Sequence, residues 1–203
     1  MNLPRITPMP LAERAAPFDH PDWIFEPKMD GFRAVAYVEG GVCRLVSRHG
    51  KEFRTFATLA AAIGRDLVGR TVILDGEIVH PGPDGQPLFH ELVRSRGHGP
   101  FAFYAFDLVW LDGGDLREQP LLERKRALRK LVPLEPRAVR YVEHVASGTE
   151  LFRAICELDM EGIVAKQAGG LYTPEATTWV KIKNPAYSQA VGREDFFDRR
   201  RAR

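Results

Sequence analysis

The sequence predicts an α+β domain of largely antiparallel sheets with flanking helices. Three observations carry that prediction. Runs rich in β-branched and aromatic residues are separated by tight turns, most plainly "RAVAYVEGGVCRLVSR", two β-type runs about Gly40-Gly41. Helical stretches fall between such runs irregularly, without the strict strand-helix alternation of a doubly wound sheet. The 203 residues, 44% of them hydrophobic and 28% charged, have the size and composition of one sizeable core.

In chain order, residues 1–22 are proline-rich and read as an extended arm packed on the domain. Residues 23–190 carry the patterning of the domain itself. "WIFEPK" is a short apolar strand, the Gly40-Gly41 hairpin follows, and "TFATLAAAIGRDL" is rich in alanine and leucine, as a helix requires. "TVILDGEIV" reads as a buried strand, "PGPDGQ" as a turn, and "LFHELVR" as a short helix. "FAFYAFDLVWL" has the aromatic and β-branched density of a central strand. Leu121, Leu128 and Val132 then recur at helical spacing, and Ser147 with Glu150 forms a capping box ahead of Leu151, Ile155 and Leu158. "EGIVAKQ" and "TWVKIK" are the last strands, and residues 191–203 form a basic tail with Arg199, Arg200, Arg201 and Arg203.

A net charge of +2 gives no global case for nucleic-acid binding, so any such surface must be local. Cys43 and Cys156 lack the paired spacing of a zinc or redox site and read as buried core thiols. The first residues are too charged and proline-rich for a secretory segment, and no apolar stretch is long enough to span a bilayer. A cytoplasmic, reducing location is the expectation, nucleoid-associated if the source is bacterial, with no membrane partner.

A lysine amine that attacks phosphorus must be unprotonated, which needs burial or neighbouring positive charge, and polyphosphate must reach it past bare backbone. "KMDGFR" answers those needs: Lys28 follows a strand, Gly31 allows a tight turn, and Arg33 adds a fixed positive charge. Taken alone, the cluster fits a turn of solvated charges equally well. Five later segments decide between the two.

"EPKMDGFR" resembles the first motif of the covalent nucleotidyltransferases, the superfamily of ATP-dependent DNA ligases, RNA ligases and mRNA capping enzymes. "SRHG" at Ser47 to Gly50, "LDGEIV" at Leu74 to Val79, "FYAFDLVWLDG" from Phe103, "EGIVAK" from Glu161 and "WVKIK" from Trp179 resemble the later motifs, in the family's order. "LLERKRAL" and "KIKNPAYSQAVGRED" are similar to the ligase module of bacterial end-joining DNA ligases, and the likeness runs from about Pro8 to Arg193. The resemblance implies the covalent nucleotidyltransferase fold, which is ATP-grasp-like, and an ATP-dependent DNA ligase that seals 5′-phosphate/3′-hydroxyl breaks, in repair.

It also implies roles. Lys28 would attack the α-phosphate of ATP to give lysyl-AMP. Glu26 would accept a hydrogen bond from the adenine amino group, and would repel the O6 acceptor of guanine. Phe106 would stack on the base. Arg33 and Arg48 would hold ribose and phosphate oxygens. Glu77 would contact ribose or metal, and Glu161 would bind metal, with Mg²⁺ or Mn²⁺ as the ion, since two carboxylates plus phosphate oxygens suffice. Lys181 and Lys183, on one face of a strand, would meet the α-phosphate. Asp30 would orient the loop, and Lys166 is a further candidate for phosphate contact.

Complete ligases of this type continue into an OB-fold domain, and the expectation here is a C-terminal OB-fold domain that is absent. An OB-fold or end-joining protein that supplies it is a candidate partner, beside nicked or broken duplex DNA. The tail arginines are the obvious extra phosphate contacts, and a solubilising end is the other reading of them. Two rivals stay open: an accessory module that binds nucleotide or DNA ends without joining them, and an RNA ligase.

Overall fold

The computed structural model of the protein describes residues 3–132 and 137–190. The basic tail expected over 191–203 lies outside the described residues. Among the described residues, ten strands form two sheets. The first contains β1 (Ala12–Glu13), β2 (Trp23–Pro27), β9 (Gly162–Gln167) and β10 (Trp179–Lys183), in the order β1-β10-β9-β2. The second has the order β4-β3-β5-β6-β7, built from β3 (Phe32–Glu39), β4 (Val42–Ser47), β5 (Val72–Val79), β6 (Ala102–Leu111) and β7 (Gly114–Asp115). The short β8 (Val139–Tyr141) also pairs with β6. All pairings are antiparallel except β1 with β10 and β8 with β6.

The two-residue repeat of the central strands sorts their side chains into two layers. Ala34, Ala36, Val38, Leu74 and Ile78 turn to the helix side of the second sheet and pack with Leu59 and Ile63 of α1 (Ala57–Asp66), Phe89 of α2 (Phe89–Arg94) and Leu128 of α3 (Leu121–Leu131). Val35, Tyr37 and Ile73 turn the other way, toward Trp179, Tyr172 and the arm residues Ile6 and Met9. The far side of the first sheet, Phe25, Ile163, Ala165 and Ile182, is covered by α4 (Gly148–Glu157) through Ile155. Because β3 and β5 are covered on both faces, they read as nearly continuous apolar runs.

One sequence reading needs correction and another an addition. Cys43 is buried, but Cys156 is only partly so: Ile155 takes the core-facing position of α4 and Cys156 falls at its flank. The stripe Leu121, Leu128 and Val132 is buried as expected, yet the same face also buries Arg124 and Lys125. Each finds a carboxylate: Arg124 makes a two-pronged pair with Asp107 of β6, at 2.8 Å through both Nε and Nη2. Ser147 caps α4 by accepting from Glu150 N–H, and Asp19 of the arm accepts from Gly148 N–H and Thr149 N–H at the same end. The strands β1, β7 and β8, of two or three residues, are too short to leave a periodic signal.

Both side chains of the Arg124–Asp107 pair are inaccessible to solvent. Asp107→Ala, which strands the guanidinium, should cost about 3–5 kcal/mol in urea unfolding. Asp107→Leu with Arg124→Met should recover most of that loss.

Candidate active site

The layer between the sheets holds apolar side chains at one end and ionisable ones at the other. Alternation brings Arg33 of β3 and Asp75 and Glu77 of β5 to this layer, facing Glu26 of β2 and Lys166 of β9. All but Asp75, which lies behind Arg33, border a cavity that Phe106, Trp179 and Lys28 complete. Phe106 enters it through an irregularity: β5 and β6 slip register between the pairs Asp75–Asp107 and Gly76–Ala105, and Phe106 is the residue left over.

Lys28 is fixed at its backbone and reachable at its tip. Its N–H donates to Gly162 O at 2.9 Å, which continues the β2–β9 pairing one step past Pro27. Its Nζ meets Glu161 Oε2 at 2.5 Å, with the lysine side chain 20% exposed. Gly31 serves this loop by closeness more than by turning. A Cβ there would lie 2.1 Å from Ile78 O, so the residue lets the loop press against β5.

At the other end Glu26 is buried between two lysines. Oε1 lies 2.5 Å from Lys125 Nζ and Oε2 lies 2.6 Å from Lys166 Nζ. Burial pushes the Glu26 carboxyl up, but Lys125 and then Lys166 outweigh it, and the net shift is downward. Burial lowers Lys166 despite Glu26, whereas Glu26 raises Lys125 against its burial. The Lys166 ammonium stands over the rings of Phe106 and Trp179, 4.3 and 4.0 Å from their centroids.

Arg33 is held on three sides. It donates to Asp75 through Nε and Nη2, at 3.1 and 2.7 Å, and to Met9 O through Nη1 at 2.6 Å. Tyr172 donates to the same Asp75 at 2.6 Å. Glu77 has no such short partner among the described contacts. Burial is the largest cause that pushes it up to about 8; Lys28 and Arg33 oppose this, and Glu161 and Asp30 add to it.

Among the residues that the sequence singled out, Glu26, Lys28, Arg33, Glu77, Phe106 and Lys166 border the cavity, with Glu161 beside Lys28. Lys166 lies on the Glu26 side, next to the aromatic rings, and not beside Lys28. Asp30 is buried and accepts from Tyr187 at 2.8 Å. Arg48 stands apart, exposed and bonded to the neighbouring His49 at 3.0 Å. Lys181 and Lys183 share a face of β10 with Trp179, and both pair with Glu13 of β1, at 3.1 and 3.3 Å.

Sequence reasoning missed Lys125, Asp75, Tyr172 and Glu13. Lys125 does interrupt an otherwise apolar helix stripe, and Asp75 an apolar strand, which are usable signals. Tyr172 and Glu13 gave none.

Glu77 also yields a test. An acid raised from the ordinary carboxylate range to about 8 on folding binds more protons folded than unfolded, so stability falls as pH rises from about 4.3 to 8. Glu77→Gln should therefore melt increasingly above the unchanged protein as pH goes from 5 to 8. A constant difference across that range would contradict the assignment.

The family model of the ATP dependent DNA ligase domain matches residues 8–183. The DNA ligase of Methanothrix thermoacetophila is 34% identical over 171 residues, 77% of this chain and 31% of that protein. The multifunctional non-homologous end joining DNA repair protein LigD of Mycobacterium tuberculosis is 30% identical over 164 residues, 80% of this chain and 22% of LigD. This chain thus spans no more than 31% of the length of either relative. A solved mycobacterial DNA ligase D complexed with ATP and MES superposes with a TM-score of 0.78 at 29% identity, over 87% of this chain and 60% of that one. The paired antiparallel sheets with their flanking helices are therefore a nucleotidyltransferase fold, and the chain belongs to the family of ATP dependent DNA ligase domains.

Proposed function

We propose that the chain is the adenylating core of an ATP-dependent DNA ligase, with Lys28 as the nucleophile. One observation carries the reading. The Lys28 ammonium emerges beside a cavity that offers a carboxylate and an aromatic ring at one end and Arg33 and Glu77 along it. Lys28 Nζ bonds to the α-phosphorus of ATP, the bond from that phosphorus to the bridging oxygen breaks, and pyrophosphate leaves. On the way from ammonium to phosphoramidate the nitrogen sheds two protons: Glu161 Oε2, 2.5 Å away, is in place to take the one that frees the lone pair, and the second leaves to solvent as the new bond forms. AMP then passes to a 5′-phosphate on broken or nicked duplex DNA, and a 3′-hydroxyl displaces it.

Glu26 and Phe106 serve the base, with Glu26 keeping spare lone pairs although each oxygen already holds a lysine. Arg33 serves the sugar, oriented by Asp75. Arg48 would reach the nucleotide only after leaving His49. Lys181 and Lys183 would meet phosphate by exchanging Glu13 for it.

Mg²⁺, or Mn²⁺, fits the site. The neighbouring Glu161 adds to the cost of ionising Glu77, and a divalent ion held partly by phosphate oxygens needs only one or two carboxylates. When bound it would offset charge on the phosphates; Glu77 and Glu161 would hold it. Because the chain spans a minor part of these relatives, partners that complete the DNA grip, such as an OB-fold or end-joining protein, belong to this proposal.

Incubation with ATP labelled at the α-phosphate should give a covalent protein adduct, stable to alkali and labile to acid as a phosphorus–nitrogen bond is, and lost in Lys28→Ala. Glu161→Gln should slow adduct formation by about 10²-fold or more. Chasing the adduct onto nicked DNA and nicked RNA duplexes separates the two ligase readings. A folded chain that binds DNA ends but never takes the label would be the accessory module instead.

A further inference from the structure

Lys125 lies outside the six motifs, and its placement is unusual. It belongs to α3, where a leucine would continue the stripe Leu121, Leu128 and Val132. A buried ion pair is seldom more stable than well-packed apolar side chains, so stability alone does not explain a lysine here. Lys125 is 1% exposed and does not border the cavity, whereas Glu26 and Lys166 do. Its ammonium is fixed from behind by Val142 O, at 2.9 Å, and by the Tyr141 ring, 4.5 Å to the centroid.

We propose that Lys125 is a specificity-determining positioning residue, which holds Glu26 as an ionised acceptor at the base edge and so selects a 6-aminopurine nucleotide against a 6-oxopurine one. The inference rests on the adenylation reading only for where the base lies. With Lys166 as sole partner, Glu26 could take a proton from that ammonium, leaving a neutral acid beside a neutral amine. Burial favours that outcome, since it disfavours both charges. A neutral acid can donate to the O6 of a 6-oxopurine, and discrimination would fall. A second cation on Oε1 makes the carboxylate the stable form. Lys125 therefore acts through Glu26 without touching the nucleotide.

The test uses the full chain, with Lys125→Met, Lys125→Arg, Glu26→Gln and the double variant Glu26→Gln/Lys125→Met. Equilibrium binding of ATP and of GTP is measured by calorimetry, alongside formation of the α-labelled adduct from each. Lys125→Met should lower the ATP-over-GTP preference by about tenfold or more, as expected when a charged hydrogen-bond acceptor is lost at a base edge. Lys125→Arg, which keeps the charge, should retain most of the preference. In the Glu26→Gln background, Lys125→Met should change the preference no further. A Lys125→Met protein that keeps the preference of the unchanged chain overturns the inference. So does an equal loss with and without Glu26.

If Lys125→Met does not fold, the other three variants decide. Retention in Lys125→Arg, with the double variant equal to Glu26→Gln, supports the inference; loss in Lys125→Arg, or a further loss in the double variant, overturns it. An unchanged chain that prefers ATP in binding yet never takes the label sinks the adenylation reading and leaves this one standing. A chain that labels equally with ATP and GTP does the reverse.

Discussion

Ionisable side chains between two sheets must find countercharges there, and this requirement organises the molecule. Glu26, Arg33, Asp75 and Lys166 point into the inter-sheet layer, where an unpaired charge would cost several kcal/mol; Glu77 beside them has no short partner among the described residues, and burial pushes its carboxyl up to about 8 instead. Their partners come from every part of the chain: Lys125 from α3, Tyr172 from the connection before β10, Met9 from the arm. Each pairing joins elements distant in sequence. The charged layer therefore fixes how the sheets face each other, as well as what the cavity can bind.

The packing reflects this division of labour. The helix side of the second sheet is filled by aliphatic and aromatic side chains of α1, α2 and α3, and supplies the bulk of the buried apolar surface. The inter-sheet layer gives up part of that gain to charges. Where its alternation turns apolar, at Val35, Tyr37 and Ile73, the arm residues Ile6 and Met9 close it. Met9 contributes twice, with its side chain to the core and its carbonyl to Arg33.

Much of this is legible in the sequence, for identifiable reasons. Strands of five or more residues and helices with a clear apolar stripe announce themselves, as the Gly40-Gly41 hairpin and the Ser147 cap do, because their signals are local. The cavity residues Glu26, Lys28, Arg33, Glu77 and Phe106 were accessible through their motifs. What the sequence conceals is pairing across distance. Nothing near Glu26 reveals that Lys125 and Lys166, 99 and 140 positions away, hold its oxygens. Nor does the run "FYAFDL" show the register slip that delivers Phe106, because a bulge exists only relative to the partner strand. Arg48 illustrates the opposite limit, a motif residue whose side chain rests outside the site.

The bond from Lys28 N–H to Gly162 O has a kinetic side. It roots the lysine in the β2–β9 ladder, so the residue's backbone shares the stiffness of a sheet while four side-chain torsions remain free. Switching from Glu161 to another acceptor then needs only rotamer hops, which for accessible side chains occur in picoseconds to nanoseconds. Slow loop rearrangement is not required to bring the amine into play. The nucleophile works like a tethered arm with a rigid shoulder, and the ordering entropy of its backbone is already spent when the domain folds.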